Sequence, residues 1–332
     1  MLQVKNLSVG FENNKGVNVI EKVSFELKKG EILGIVGESG SGKSVTANSI
    51  MRLLPKNGKV NHGEIIFNGE NLLELSEKHI CRIRGNEISM IYQEPMTALN
   101  PLIRIGDQIK ECICTHEKVY NSELKERVIK LLDMVKIPEP NMVYKKYPHE
   151  LSGGMRQRVI IAMAIACNPK IIIADEPTTA LDVTIQIEIL NLLKDISDEL
   201  GTSIIIITHD LGVIAELADR VIVMYCGEIV EEASIYEFFD NTKHPYSKGL
   251  MLSRPNNIVH DKLYYIKGMV PKINSITREK CTFSDRCPYV KNICTEKLPR
   301  LIDVNNGHRV RCVLAKEGET NGARTFIASC ES

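Results

Sequence analysis

The sequence predicts an α/β protein, and three observations predict it. Short apolar runs at 32–36, 170–174 and 203–207 read as strands buried on both faces by helices. Between them lie segments with helical spacing, such as Val128, Leu131, Leu132 and Val135. A glycine-rich loop, Gly37-Glu38-Ser39-Gly40-Ser41-Gly42-Lys43-Ser44, joins the first of these strands to a helix-compatible run over 45–54. That loop fits G-x-x-x-x-G-K-[ST] in the strand–loop–helix setting the motif requires.

In chain order, strands are predicted at 3–9, 23–27, 31–36 and 64–67, all short, β-branched and bounded by Gly or Asn. Asn68-Gly69 marks a turn, and 87–92 is a further strand candidate. From about 96 to 163 the pattern turns helical. Strands return at 170–174, 203–207, 220–225 and 228–231. Residues 1–235 therefore form the main domain, a mixed sheet core with a helical insertion. Composition shifts near Glu237: residues 236–275 read as a linker and extension, 276–316 as a small four-cysteine module, and 317–332 as a tail.

The chemistry follows from the loop. Glycines let backbone wrap a phosphate chain where a Cβ would block the turns. The following helix adds unpaired N–H groups and the positive end of its dipole. Gly37, Ser39, Gly40, Ser41, Gly42, Lys43, Ser44 and Val45 are the candidate nucleotide-binding residues. Lys43 is expected to reach the β- and γ-phosphates and Ser44 to bind Mg2+. Downstream, the strand ending Ala174-Asp175-Glu176-Pro177 presents two carboxylates. Asp175 suits the metal, and Glu176 suits the polarising of an attacking water. The bland readings are a glycine-rich turn and an acidic strand end; the two motifs on one chain weigh against both. Ser152-Gly153-Gly154 opens a helical run and forms a second anion site, or simply a helix cap on Ser152.

Composition narrows the class. The chain has 332 residues, 43% hydrophobic and 25% charged, with 42 basic and 42 acidic side chains and zero formal net charge. No broad basic face for nucleic acid follows from that balance. No apolar run approaches the ~18 residues that span a bilayer, and the first residues lack a signal peptide's apolar core. A cytosolic protein is expected, with cysteines reduced or metal-bound.

At these residues the chain resembles the ATP-binding-cassette (ABC) ATPases over about 1–235. Leu151–Gln157 looks like the family signature. The resemblance implies that Ser152, Gly153, Gly154 and Gln157 meet the nucleotide of a second cassette. Gln93 matches the glutamine loop, which touches Mg2+ and couples to the membrane partner, and His209 matches the switch histidine. Asp182, in Ala180-Leu181-Asp182, matches the loop that crosses the dimer interface. Phe11 aligns with the aromatic that stacks on adenine. Two cassettes would close head to tail on two ATP molecules, and the retained Glu176 implies a competent ATPase.

The segment 90–101, the Met155-Arg156-Gln157-Arg158 continuation and His244-Pro245-Tyr246 resemble ATP-binding subunits of bacterial oligopeptide/dipeptide importers. That branch implies a cassette on the cytoplasmic membrane face. Its implied partners are a second ATPase subunit (a heterodimer), two permease subunits and an external binding protein. Nickel or sugar import, a soluble ABC ATPase acting on ribosome or DNA, and a non-hydrolysing regulatory subunit are the alternatives.

Ten cysteines are unevenly placed. Cys81, Cys112, Cys114, Cys167 and Cys226 read as small buried hydrophobes. Cys281, Cys287, Cys294 and Cys312 crowd together without C-x2-C knuckles. Four thiolates suit a 4Fe–4S cluster and suit tetrahedral zinc equally. The resemblance favours the cluster. Arg278-Glu279-Lys280 before Cys281 departs from the branch, where a glycine is common.

Overall fold

The structure is a computed structural model. It describes residues 1–316 except 13–15, 93–97, 180, 255–257, 260–261 and 306. The strands are β1 (Leu2–Phe11), β2 (Asn18–Leu27), β3 (Ile32–Val36), β4 (Gly58–Phe67), β5 (Glu70–Asn71), β6 (Ile88–Ile91) and β7 (Ile171–Asp175). They continue with β8 (Ser203–Thr208), β9 (Arg220–Tyr225), β10 (Glu228–Ser234), β11 (Ile258–Val259), β12 (Lys262–Leu263), β13 (Ile302–Asn305) and β14 (His308–Val310). The chain divides into two compact units.

The first unit holds Met1–Glu26, Leu33–Leu73 and the chain from Thr208 on. Four strands in the order β2-β1-β4-β5 form one sheet among the described residues, with β1 antiparallel to β4 from Leu2↔Phe67 to Phe11↔Gly58. A second set runs β13-β14-β10-β9-β3. β3 pairs parallel with β9, Leu33 opposite Arg220, and all five of its residues are buried, as its unbroken apolar sequence requires. β9 and β10 form a hairpin whose two loop residues, Cys226 (φ +47°) and Gly227 (φ +78°), both adopt the left-handed region. That is the turn whose twist matches a hairpin. Gly227 has no substitute: a Cβ there would stand 1.8 Å from the Val19 carbonyl oxygen. The C-terminal segment adds strands to this set, β14 pairing with β10 through Glu231↔Val310. Before it, Pro245 opens the helix Pro245–Leu252 beneath a His244 cap.

The second unit holds Leu27–Ile32 and Glu74–Ile207. β6, β7 and β8 lie parallel, Ile88 opposite Ile171 and Ile171 opposite Ser203. Helices Glu77–Ile83, Ile105–His116, Asn121–Met134, Pro140–Val143, Gly153–Ile165 and Val183–Leu200 complete it among the described residues. Val128, Leu132 and Val135 are fully buried, which is the spacing that predicted a helix there. Along Val183–Leu200 the buried stripe is Ile189, Leu192, Leu193 and Ile196, one face of a 3.6-residue period.

Several details differ from the sequence reading; β2, for one, starts at Asn18, five residues before the expected 23. β4 starts at Gly58, six residues before the expected 64, because its first turn of chain is exposed and polar (Lys59, Asn61 and His62) and carries no apolar signal. The helical stretch 96–163 is broken into separate helices within the described residues. Of the five scattered cysteines only Cys167 and Cys226 are buried; Cys112 is half-buried, and Cys81 and Cys114 are exposed on amphipathic helices.

Candidate nucleotide site

In the first unit the loop after β3 is built around backbone that only glycine tolerates. Gly37 (φ +152°), Gly40 (φ +79°) and Gly42 (φ +103°) all have positive φ. A Cβ on Gly37 would lie 2.2 Å from the Met224 carbonyl oxygen and 2.8 Å from Ser41 Oγ. Gly42 caps helix Lys43–Ile50, so the first N–H groups of that helix face the loop. Lys43 is buried, and its ammonium donates to the carbonyls of Gly37 (2.7 Å) and Glu38 (3.1 Å). The side chain is thus folded over the loop it serves. Ser41 Oγ is buried with no hydrogen-bond partner, and its carbonyl accepts from Gly227 N–H (2.9 Å). A buried hydroxyl without a partner inside a loop of backbone donors fits a phosphate ligand. Ser44 is exposed and Val45 half-buried at the helix start. Ser39 and Gly40 are exposed on the loop crest.

Phe11 is half-buried at the end of β1, and its ring lies against Gly58, where a Cβ would come within 2.9 Å of Cε1. His209 is exposed just past β8. The turn behind it is fixed: Asp210 N–H donates to Thr208 Oγ1 (3.0 Å), and Asp210 caps helix Leu211–Leu217 by accepting from Gly212 N–H (2.7 Å).

In the second unit Asp175 ends β7 and is nearly buried. Glu176 follows with φ +49°, a rare conformation for a side chain of its size. Its N–H donates to the Ile207 carbonyl (2.8 Å), and its carboxylate accepts from Thr179 Oγ1 (2.9 Å). Backbone outliers of this kind cluster at functional positions, though Glu176 shares its positive φ with eight other non-glycine residues among those described. Thr179, absent from the sequence reading, orients that carboxylate; the Pro177-Thr178-Thr179 run was its only sequence signal. The Asp175 carboxylate is a hard oxygen donor of the kind Mg2+ takes, as, within the first unit, is the Ser44 hydroxyl.

Ser152 is exposed and caps helix Gly153–Ile165, its Oγ accepting from Met155 N–H (3.3 Å). The simple cap reading of Ser152 therefore holds in the geometry, and the anion-site reading uses the same exposed helix start. Gly153 is exposed. Gly154 packs against helix Val183–Leu200, where a Cβ would come within 2.7 Å of Ile185 Cγ2. Gln157 stands apart: it is fully buried, and neither end of its amide has a hydrogen-bond partner. Asp182 caps Val183–Leu200, accepting from Ile185 N–H (3.1 Å). Gln93 and Ala180 lie outside the described residues.

Cys281, Cys287, Cys294 and Cys312 belong to the first unit. Cys281 N–H donates to the Cys294 carbonyl (2.9 Å). Burial pushes the Cys281 thiol up to about 11 and Cys287 up to about 12, and the neighbouring cysteines add to both. Among the described residues no group of three or more His, Cys, Asp or Glu side chains is placed to hold a metal ion. The expected metal centre on these cysteines therefore finds no support in the structure.

A glycine-rich loop on a helix N-terminus, with its lysine folded over it, defines a phosphate-binding-loop nucleotide protein. Comparison with known proteins sharpens the class. Residues 20–179 match the ABC transporter family, and residues 230–294 match the oligopeptide/dipeptide transporter C-terminal region. The chain is 48% identical to a probable peptide ABC transporter ATP-binding protein of Sinorhizobium fredii, over 96% of both chains. It is 47% identical to the oligopeptide transport ATP-binding protein AppD of Bacillus subtilis, over 96% of this chain and 97% of the other. Among solved structures it is similar to the dimeric ATP-binding cassette MJ0796 bound to ADP and Pi. The TM-score there is 0.63 at 30% identity, over 71% of this chain and 99% of that one. The chain belongs to the ABC transporter ATPases, in the branch that carries the oligopeptide/dipeptide C-terminal region.

Proposed function

We propose that the protein is the ATP-hydrolysing subunit of an importer that takes up peptides, working on the cytoplasmic face of the membrane. Near-full-length similarity to oligopeptide and dipeptide transport ATP-binding proteins carries this reading. Among the described residues no helix is long and apolar enough to cross a membrane, so the translocation path belongs to permease partners. The partners are two permease subunits, a second and different cassette, and an external substrate-binding protein. The Met155-Arg156 continuation supports the heterodimer.

In this reading the loop 37–44 cradles the phosphates, and Lys43, held by its two loop carbonyls, offers an N–H to phosphate oxygens. Phe11 offers an aromatic face to the base. Ser44, Asp175 and Gln93 would hold Mg2+, which would supply charge neutralisation to the phosphates. Glu176, held by Thr179, takes the proton of the attacking water, and His209 senses the terminal phosphate. Ser152, Gly153 and Gly154 meet the partner cassette's nucleotide, and Gln157, which is fully buried, backs that surface. Closure of the dimer completes each site and hydrolysis reopens it.

The small C-terminal extension and its four cysteines are the finer part of the proposal. The thiols are one another's electrostatic neighbours, and Cys312 borders a cavity of ≈ 560 Å³. Tetrahedral zinc would need sulfurs about 3.8 Å apart around one ion, whereas a 4Fe–4S cluster spreads its thiolates. Four thiolates are a donor set that suits the cluster, with zinc as the alternative.

The test is uptake. A strain lacking this subunit should lose import of a labelled tetrapeptide, and the parent gene should restore it. A Glu176→Gln gene should restore ATP binding without uptake. Loss of nickel import with peptide uptake intact would refute the peptide reading. Anaerobically purified protein with about four irons and four sulfides per chain would establish the cluster; iron-free, sulfide-free protein after reconstitution would refute it.

A further inference from the structure

Glu38, the second residue of the phosphate loop, is held at every polar atom the chain can reach. Its carboxylate takes both prongs of the Arg286 guanidinium, at 2.7 and 3.1 Å. Its N–H donates to the Tyr246 hydroxyl (2.8 Å). Its carbonyl accepts from Lys43 Nζ (3.1 Å) and from Ser41 N–H (3.2 Å). Both clamps come from the C-terminal extension, more than two hundred residues away in sequence.

Neither clamp is loose. The Arg286 side chain is almost fully buried, and its remaining N–H groups donate to the carbonyls of Lys267 (3.1 Å) and Ile266 (3.4 Å) and to the Tyr225 hydroxyl (3.5 Å). Its guanidinium lies 5.8 Å from the centre of the Tyr225 ring. Tyr246 is fully buried, packed at 4.6 Å on Tyr225 and 5.4 Å on Phe283. Arg286 closes the short 3-10 helix Ser284–Arg286 and precedes Cys287 directly. A fork on a carboxylate fixes direction as well as distance, which a single flexible ammonium does not.

We propose that Arg286 and Tyr246 are positioning residues for nucleotide binding, fixing Glu38 so that its carbonyl and the neighbouring Gly37 carbonyl hold Lys43 over the phosphate loop. The extension therefore sets the loop's affinity for phosphates, and Cys287 is one peptide bond from Arg286, whose side chain reaches the loop through Glu38. This rests on reading residues 37–44 as the nucleotide loop.

The experiment reads equilibrium binding of MgATP on the full chain, and KM and kcat for ATP on the transporter assembled with its partner cassette. Arg286→Ala and Glu38→Gln should each weaken MgATP binding about tenfold, the scale of one charge-assisted pair, with KM rising and kcat within twofold. The double variant should be no weaker than the weaker single one, because both break the same link. Arg286→Lys should recover part of the loss, and Tyr246→Phe should cost about threefold. Lys43→Ala separates the two readings. If it leaves MgATP binding intact, the loop reading and the proposal both fall. If it abolishes binding while Arg286→Ala stays within twofold of the parent, the proposal alone falls. Multiplying effects in the double variant would also overturn it. Should Arg286→Ala not fold, parental affinity in both Tyr246→Phe and Glu38→Gln would do so.

Discussion

His244 is a buried neutral imidazole, and acid should destabilise the protein through it. The residue is 1% exposed. Its Nδ1 accepts the Tyr246 N–H (3.1 Å), so a proton on Nδ1 would set one N–H against another. Its backbone N–H donates to the Glu231 carboxylate (3.0 Å), and its ring lies 5.8 Å from that of Phe283. Burial pushes the imidazole down to about 4, with Glu231 pulling the other way and Arg311 adding to the depression. An unfolded histidine titrates near 6.5, so between about 4 and 6.5 the unfolded chain binds the extra proton. The sign follows: this contribution is fully present above the unfolded value and is lost as pH falls toward 4. The full depression corresponds to roughly 3 kcal/mol, of which roughly 2 is gone by about pH 5. That is a large fraction of a domain's stability. The assay is urea unfolding of the full chain at two pH values, about 7.5 and 5. The parent is compared with His244→Asn, which keeps a cap acceptor without a titrating ring. His308 runs the opposite way. Burial lowers it, but hydrogen bonds and charge from Glu231 and Glu237 outweigh burial and raise it. Its contribution is complete below the unfolded value and fades as pH rises. It titrates in both proteins, as the carboxylates do, and cancels in the comparison. Equal losses in parent and variant would refute the reasoning.

Gly154→Ala should destabilise the second unit by about 1–3 kcal/mol, because its Cβ meets Ile185 across two packed helices; thermal unfolding of the variant measures it. Ser152→Ala should cost about 1 kcal/mol for the lost cap and, beyond that, lower ATP turnover in the assembled transporter; turnover equal to the parent's would remove the proposed signature role. Maleimide should modify Cys81 and Cys114 quickly at neutral pH and leave Cys167 and Cys226 to react only on unfolding, with Cys112 slow because burial raises its thiol to about 11; peptide mapping of the labelled chain decides it. Asp107→Lys should weaken permease capture more than MgATP binding, since Asp107 lies in the first turn of the exposed helix start at Arg104 beside Leu102; an unchanged pull-down would count against that surface.

What the sequence made legible is what depends on neighbours along the chain. The loop's glycines, the apolar strands β3, β7 and β8, and the carboxylates at the end of β7 are local patterns, and the structure keeps them in the expected elements. The cap on Ser152 was visible for the same reason. Partners far apart in sequence were not visible. Nothing in Arg286-Cys287-Pro288 announces a pair with Glu38, and Arg278 read as a departure before Cys281. In the structure Arg278 donates to the carbonyls of Cys226 (2.6 Å) and Asn18 (2.8 Å), tying down the turn that holds Gly227. Gly227 N–H in turn donates to Ser41 in the phosphate loop. The cysteine spacing drew the eye to metal chemistry, yet the residues beside the cysteines make the traceable connections. Arg278 reaches the loop through the hairpin turn, Arg286 through Glu38, and Phe283 through the aromatic cluster with Tyr225 and Tyr246. One short segment is thus linked to the phosphate loop directly by Arg286 and through intermediates by Arg278 and Phe283. A segment that only capped the sheet would need none of them, since β14 already closes the edge of β10.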